Sequence, residues 1–228
     1  MGKIRTPKSL SEQAYELIRH KVVTLALAPG DVINEADLQT ELGLGRTPIR
    51  EALRRLSFEK LVTIIPRRGM FVTDIGISDL GRLFEVRLTM EELAAQLAAQ
   101  RGTAVHWQRM EKLTHELPSD NENISNEDWI AIDEAFHTCI YEATNNPFLE
   151  NTLTYYYTHS LRLWFYFLAD IGDMGDAIKQ HENILTALQA GDGKQAARVL
   201  RAHIQTFQDE LQSVMLGLHL VNGQTSKI

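Results

Sequence analysis

Gly43-Leu44-Gly45-Arg46-Thr47-Pro48-Ile49-Arg50-Glu51-Ala52-Leu53-Arg54-Arg55-Leu56 is the stretch that decides how this chain is organised. Thr47 is a residue type that caps the orphan amides of a helix start, and Pro48 suits the first helical position, where its missing N–H costs nothing. A helix is therefore expected from Pro48. Within it Ile49, Ala52, Leu53 and Leu56 share one face, while Arg50 and Arg54 lie four apart on another and Arg46 sits just before the start. One face packs and the other is basic, which is the form of a helix built to enter a DNA groove.

Working outward, Ser9-Leu10-Ser11-Glu12 matches a capping box, and Leu10, Ala14, Leu17, Ile18, Val22 and Leu25 recur at helical spacing. They predict a first helix to about Leu27. Pro29-Gly30-Asp31 marks a turn, and Asn34 caps a short helix through Leu42 that stops at Gly43. Two helices joined by a tight glycine-containing turn, the second with arginines near its start, is the helix-turn-helix pattern. After Lys60 the period changes. Val62-Thr63-Ile64-Ile65 and Met70-Phe71-Val72-Thr73 are strand-like, and Pro66-Arg67-Arg68-Gly69 between them is turn chemistry. A hairpin tipped by Arg67 and Arg68, with Gly69 permitting close backbone approach, is a wing that meets phosphates or the minor groove. A solvated hairpin with incidental arginines is the alternative for any one of them. The order helix, helix, arginine helix, basic-tipped hairpin argues against it.

Composition agrees with two parts doing different work. The net charge is −7, but residues 1–75 carry 12 Lys and Arg against 9 Asp and Glu, leaving 11 against 21 for residues 76–228. A weakly basic segment joined to an acidic one suits a DNA reader attached to a regulatory body, because phosphate attraction needs only a local basic surface. With 44% apolar and 23% charged residues the chain has the composition of a globular protein with a real core. The single cysteine, Cys139, excludes an internal disulfide framework. Cys139 reads as a small core residue rather than a nucleophile. No signal peptide pattern is present, and the most apolar run, 161–171, is broken by Arg162 and too short to span a bilayer. The expected compartment is the cytoplasm, with no membrane partner.

Residues 76–228 read as helices only. Ser78 caps a long helix to about Ala99, followed by helices near 103–117, 126–144, 147–170, 175–190 and 194–217, six in all. A polar loop is expected over 118–125, and the chain end from about Asn222 reads as frayed. Inside this bundle four residues interrupt apolar stripes. Asp133 and His137 are four apart on the face of Trp129, Ile132, Phe136 and Ile140; His181 interrupts Ala177, Ile184, Leu185 and Leu188; His203 interrupts Leu200, Ile204, Phe207 and Leu211. A carboxylate inside an apolar stripe costs several kcal/mol unless it is paired or bound to a cation. One carboxylate and three imidazoles converging on a divalent ion would remove that cost, and such a set suits Zn, Ni, Mn or Fe. Each residue could instead be a satisfied core group. Arg87 shares a stripe with Leu80, Phe84 and Glu91, so it faces the bundle, where Glu91, four residues on, can form an ion pair with it. The aromatic segment from Tyr155 to Phe167 reads mostly as core, with part of it open to lining a cavity or a subunit contact.

The N-terminal residues quoted above, together with Leu27-Ala28-Pro29-Gly30, Leu38 and Leu42-Gly43, resemble the winged helix-turn-helix of GntR-family transcriptional regulators. By that resemblance Arg46 and Arg50 meet guanine edges and backbone, Thr47 meets a phosphate and Gly69 lies at the wing tip. The chemistry agrees, since an arginine fork matches guanine O6 and N7. Gly45 departs from the usual serine or threonine there, and Ala36 stands where some relatives place an arginine, which implies a different operator or weaker binding. Asp133-Glu134-Ala135-Phe136-His137, Asn145-Asn146-Pro147-Phe148-Leu149, the run from His181 to Leu188, Gly191-Asp192 and His203 resemble the FCD effector domain of the FadR branch of that family. Six helices are similar to its shorter, VanR-like version. All four ligands of the metal-binding members are matched, by Asp133, His137, His181 and His203, and Arg87 resembles the arginine set toward an acidic effector.

The sequence therefore implies a mainly α protein, with a winged helix-turn-helix over 1–75 and an all-helical effector-binding and dimerisation domain over 76–228. The expected function is a homodimeric repressor reading a palindromic double-stranded operator through Arg46, Thr47, Arg50, Arg54, Arg67, Arg68 and Gly69, controlled by a small organic acid bound at a divalent metal. No catalytic residue is assigned. The alternative, a metal-dependent enzyme with a DNA-binding appendage, would use the same ligands with Glu134 or Glu182 as base. No nucleophile elbow, phosphate loop or zinc-protease motif accompanies them.

Overall fold

A computed structural model of the chain describes residues 8–76, 80–115, 125–167 and 175–215. The described part is mostly helical, with one small sheet. It divides into two compact units, the first holding Met1–Ile77 with Leu161–Phe165 and the second Ser78–Ser160 with Tyr166–Ile228.

The first unit begins with α1, Leu10–Val23, whose cap is Ser9: its hydroxyl accepts from the Glu12 amide at 3.1 Å. The helix stops four residues short of the expected Leu27. Leu25 takes a left-handed φ of 61°, which no α-helix continues through, and Thr24 turns its hydroxyl back onto the His20 carbonyl. After a turn in which Asp31 accepts from the Ala28 amide, β1, Val32–Ile33, leads into α2, Glu35–Leu42. Asn34 caps α2 as expected, and Gly43 ends it at φ 64°.

α3 spans Arg46–Phe58, not the expected start at Pro48, and its cap position is Gly45, with no side chain accepting from the first turn. Thr47 is therefore inside the helix rather than capping it. Pro48 is tolerated at the third helical position because that N–H is still one of the orphans. Ile49, Ala52, Leu53 and Leu56 are buried with Ala14, Ile18 and Val22 of α1, so the apolar stripe sets the roll of α3 and turns its arginines outward. β2, Val62–Ile65, and β3, Gly69–Val72, form the hairpin, with Val62 opposite Val72 and Ile65 opposite Gly69. β1 pairs antiparallel with β3, giving the order β1-β3-β2.

The second unit contains α4, Leu80–Arg101; α5, Ala104–His115; α6, Asn126–Ala143; α7, Pro147–Phe167; α8, Gly175–Gln189; and α9, Gly193–Met215. Ser78, the loop from 118, the expected helix ends at 117, 170 and 217, and the chain end lie outside the described residues. Ser125 caps α6 through the Asp128 amide. α4 packs on α9 and α6, and α8 packs on α9, α5 and α6. Phe84, Trp129, Phe136, Ile140, Ile184 and Leu200 are fully buried between them, with Phe84 meeting Phe207 edge to face at 5.7 Å.

Candidate DNA interface and candidate metal centre

All the groups selected for DNA, Arg46, Thr47, Arg50, Arg54, Arg67, Arg68 and Gly69, are exposed. α3 presents the first four, and its uncapped first turn leaves orphan amides and the positive end of the helix dipole for an anion. The wing tip is held in shape by the Arg68 amide donating to the Ile65 carbonyl. It needs left-handed backbone at Arg67, φ 63°, and a φ of 113° at Gly69, where a side chain would be strained. One acidic group beside this face was not singled out from the sequence. The Glu35 carboxylate, at the start of α2, lies 3.8 Å from Arg46 Nε and 3.6 Å from Arg50 Nε, so it faces both leading arginines of α3. Its sequence signal is an acid in the first turn of the helix preceding an arginine helix.

In the second unit the structure brings Asp133, His137, His181 and His203 together. One ligand atom from each lies within 4.8 Å of all the others, and all four side chains are buried. α6 supplies the first two from one face, α8 and α9 one each. His181 Nε2 is 3.0 Å, His203 Nε2 3.3 Å and His137 Nε2 3.7 Å from the same oxygen, Asp133 Oδ1, and the two former nitrogens are 3.4 Å apart. Ligand bonds of about 2.0–2.2 Å at roughly 90–120° would put neighbouring donors about 3.0–3.7 Å apart. The donor set fits a divalent ion.

The second oxygen, Asp133 Oδ2, accepts from the Tyr157 hydroxyl at 2.5 Å. His203 Nδ1 lies 3.2 Å from Gln180 Oε1, which as an acceptor fixes the proton on Nδ1 and leaves the Nε2 lone pair toward the cluster. The His181 ring stacks on Phe136 at 4.0 Å and 3°, which fixes its plane. Burial drives the His181 imidazole down to about 4, helped by His203 and His137 and opposed by Asp133. It is therefore neutral at neutral pH, the form that ligates a metal. Burial alone would raise the Asp133 carboxyl, but the neighbouring His137 and the close approach of His181 and His203 hold it well below the ordinary value.

Arg87 and Glu91 on α4 form a buried ion pair, Nε to Oε1 at 3.1 Å, as their spacing allows. The pair engages Nε, and the guanidinium lies over the Tyr157 ring at 4.7 Å. Tyr157 thus touches both Asp133 and Arg87, a pairing of partners that periodicity alone does not give. Glu91 Oε1 also accepts from the Tyr141 hydroxyl at 2.5 Å, and Oε2 stands 3.4 Å from His137 Nδ1. Burial would raise the Glu91 carboxyl, yet His137, Arg87 and Tyr141 hold it down at about 2. Among the described residues, His137 Nε2, His181 Nδ1 and Glu91 Oε2 are buried without a hydrogen-bond partner. Orphans of this kind are expected where a bound group is meant to complete the site.

Comparison with known proteins gives the same two parts. Residues 10–72 match the family described as bacterial regulatory proteins, gntR family, and residues 82–206 match the FCD domain. The Nta operon transcriptional regulator of Aminobacter aminovorans is 30% identical over 195 residues, 86% of this chain and 91% of that protein. The HTH-type transcriptional repressor RspR of Escherichia coli K12 is 23% identical over 205 residues, 90% of each. The solved structure of E. coli McbR/YncC superposes with a TM-score of 0.82 at 24% identity, covering 92% of this chain and all of that one, a likeness of fold. Among the described residues no helix is long and apolar enough to cross a membrane. An arginine-bearing winged helix-turn-helix followed by an FCD bundle, matched over nearly the whole chain, makes this protein a member of the GntR family of bacterial transcriptional regulators, in its FadR-like, FCD-bearing form.

Proposed function

We propose that this regulator is a homodimeric repressor of the cytoplasm that reads a short palindrome and releases it when a small carboxylate binds in the FCD domain. Residues 1–75 serve as the reader and 76–228 as the effector and dimerisation domain. Arg46 and Arg50 reach base edges; Thr47, Arg54, Arg67, Arg68 and the backbone at Gly69 meet the phosphate backbone. Asp133, His137, His181 and His203 hold a divalent ion, Zn, Ni, Mn or Fe. When bound there, such an ion would supply a Lewis-acid anchor for a carboxylate. Arg87 offers that anion its terminal guanidinium nitrogens, since Glu91 engages Nε. Effector binding biases the packing of the helices that carry the ligands and changes the spacing of two-fold related α3 helices, with a coupling of roughly 1 to 3 kcal/mol.

The observation that carries this reading is the buried group of one carboxylate and three imidazole nitrogens focused on Asp133 Oδ1, with orphaned polar atoms at its edge. A merely satisfied polar core would not leave them so. The test is selection of labelled DNA fragments from the gene's own neighbourhood, with the metal content of the purified protein measured and candidate organic acids added. One ion per chain and a fragment bound better than random DNA and released by an acid are expected. No preferred fragment would end the operator reading, and no metal uptake from Zn, Ni, Mn or Fe would end the metal reading.

A further inference from the structure

We infer that Glu91 is a positioning residue for the proposed metal centre, holding His137 with Nδ1 protonated and Nε2 free toward the ligand cluster, and tying that ligand to Arg87. The inference rests on the metal reading above. A plain counter-ion for Arg87 would explain only half of what Glu91 does. Its Oε1 takes both the Arg87 Nε–H and the Tyr141 hydroxyl, so the pair is complete on one oxygen. Oε2 remains fully buried with no hydrogen-bond partner among the described residues, and it stands 3.4 Å from His137 Nδ1. On the far side of the same ring, His137 Nε2 is also buried and partnerless, 3.7 Å from Asp133 Oδ1.

Two orphans on opposite sides of one imidazole are both resolved by a single proton assignment. With the proton on Nδ1, the ring turns its N–H edge toward the Oε2 charge 3.4 Å away, with the Tyr141 oxygen 3.5 Å from the same nitrogen, and turns a lone pair toward the other ligand atoms. A carboxylate behind a ligating imidazole fixes its tautomer and raises its basicity. His203 is held in a parallel way by the neutral Gln180, and His181 by stacking on Phe136. Among these three ligands His137 is the one backed by a charge. Because the same carboxylate holds Arg87, whatever draws on that guanidinium is felt at His137 within two contacts.

The experiment uses the full-length, metal-free protein. Long-range proton–nitrogen NMR correlation of 15N-labelled histidine rings at pH 8 is expected to show His137 as the Nδ1–H tautomer. In Glu91→Gln the two donors Arg87 Nε–H and Tyr141 O–H keep the amide oxygen on their side, so that, unlike Gln180 at His203, its NH2 faces His137 Nδ1. The variant should lose that preference, and its affinity for Co2+ alone, read by competition with a chromophoric chelator, should fall roughly 10- to 100-fold with the stoichiometry kept. Tyr141→Phe retains the carboxylate and should retain the tautomer. A purely structural Glu91 would leave the His137 tautomer unmoved in the variant. If Glu91→Gln fails to fold, the wild-type spectrum decides alone: an Nε2–H ring at His137 overturns the inference. Wild type that takes up no Co2+ overturns the metal reading itself, whereas tight wild-type binding with unchanged affinity and tautomer in Glu91→Gln overturns only the role of Glu91.

Discussion

Arg50 and Arg67 are both exposed arginines, yet under the proposed DNA contact their settings suit them to different work. Arg50 projects from a helix whose roll is fixed by four buried side chains, so its guanidinium is presented at a defined place, as base reading requires. Arg67 sits on a four-residue turn, where a charge near phosphate suffices. Arg50→Ala is expected to weaken operator binding by about 1–3 kcal/mol and to relax base preference, while Arg67→Ala weakens all sequences alike and lowers the salt slope by about one. Fluorescence anisotropy on matched and scrambled duplexes over a salt series separates the two. Glu35 adds a third expectation. Glu35 is half-buried, but its partners Arg46 and Arg50 are exposed and stand 3.8 and 3.6 Å away, so removing its charge should change stability by less than about 1 kcal/mol. It nevertheless sets an acid beside the basic face. Glu35→Gln should therefore raise affinity for random duplex more than for operator, and an unchanged ratio between them would show that Glu35 does not discriminate.

At the scale of elements, α3 was largely legible because its information is periodic: Ile49, Ala52, Leu53 and Leu56 fall on one stripe, and all four are buried. Leu53→Ala should therefore cost about 2–5 kcal/mol of stability in the first unit, measured by urea unfolding, while metal uptake by the second unit is kept. The hairpin and the six bundle helices were legible for the same reason. What escaped was set by single backbone torsions or by distant partners. α1 ends at Val23 because Leu25 is left-handed, although its apolar spacing runs on. β1 is two residues long, too short for alternation to register, and exists only by pairing with β3. Thr47 looked like a cap by residue type, but Gly45 is where the backbone becomes extended. In the bundle the four clustered residues were visible as polar breaks in apolar stripes. Their supports were not, because Tyr157 and Gln180 join them only through helix packing, and spacing alone pairs Glu91 with Arg87 and not with His137.

Taken as a whole, the molecule carries its most exacting electrostatics inside the second unit, and acid should expose this. The His181 imidazole is held near 4 against an ordinary 6.5. The unfolded chain therefore binds a proton that the fold refuses, and stability falls as pH drops through that window, by up to about 3 kcal/mol from this group. Glu91 and Asp133, both held low, add losses of the same sign below their ordinary values, because the fold needs them ionised. Metal-free protein should accordingly unfold at lower urea at pH 4.5 than at pH 7; a midpoint flat between pH 6.5 and 4.5 would mean that His181 is not buried in neutral form. Bound metal should steepen the acid loss, since protons compete for its ligands. The most direct single test of regulated DNA contact is the affinity of a labelled operator fragment for metal-loaded protein, titrated with and without the inducing carboxylate, in wild type and His181→Ala. The expected result is a weakening of roughly 5- to 150-fold by the acid in wild type, absent from the variant although it still binds DNA. An operator affinity that the acid leaves unchanged in wild type, while the acid demonstrably binds the same protein, would contradict the proposal that this bundle controls the reader.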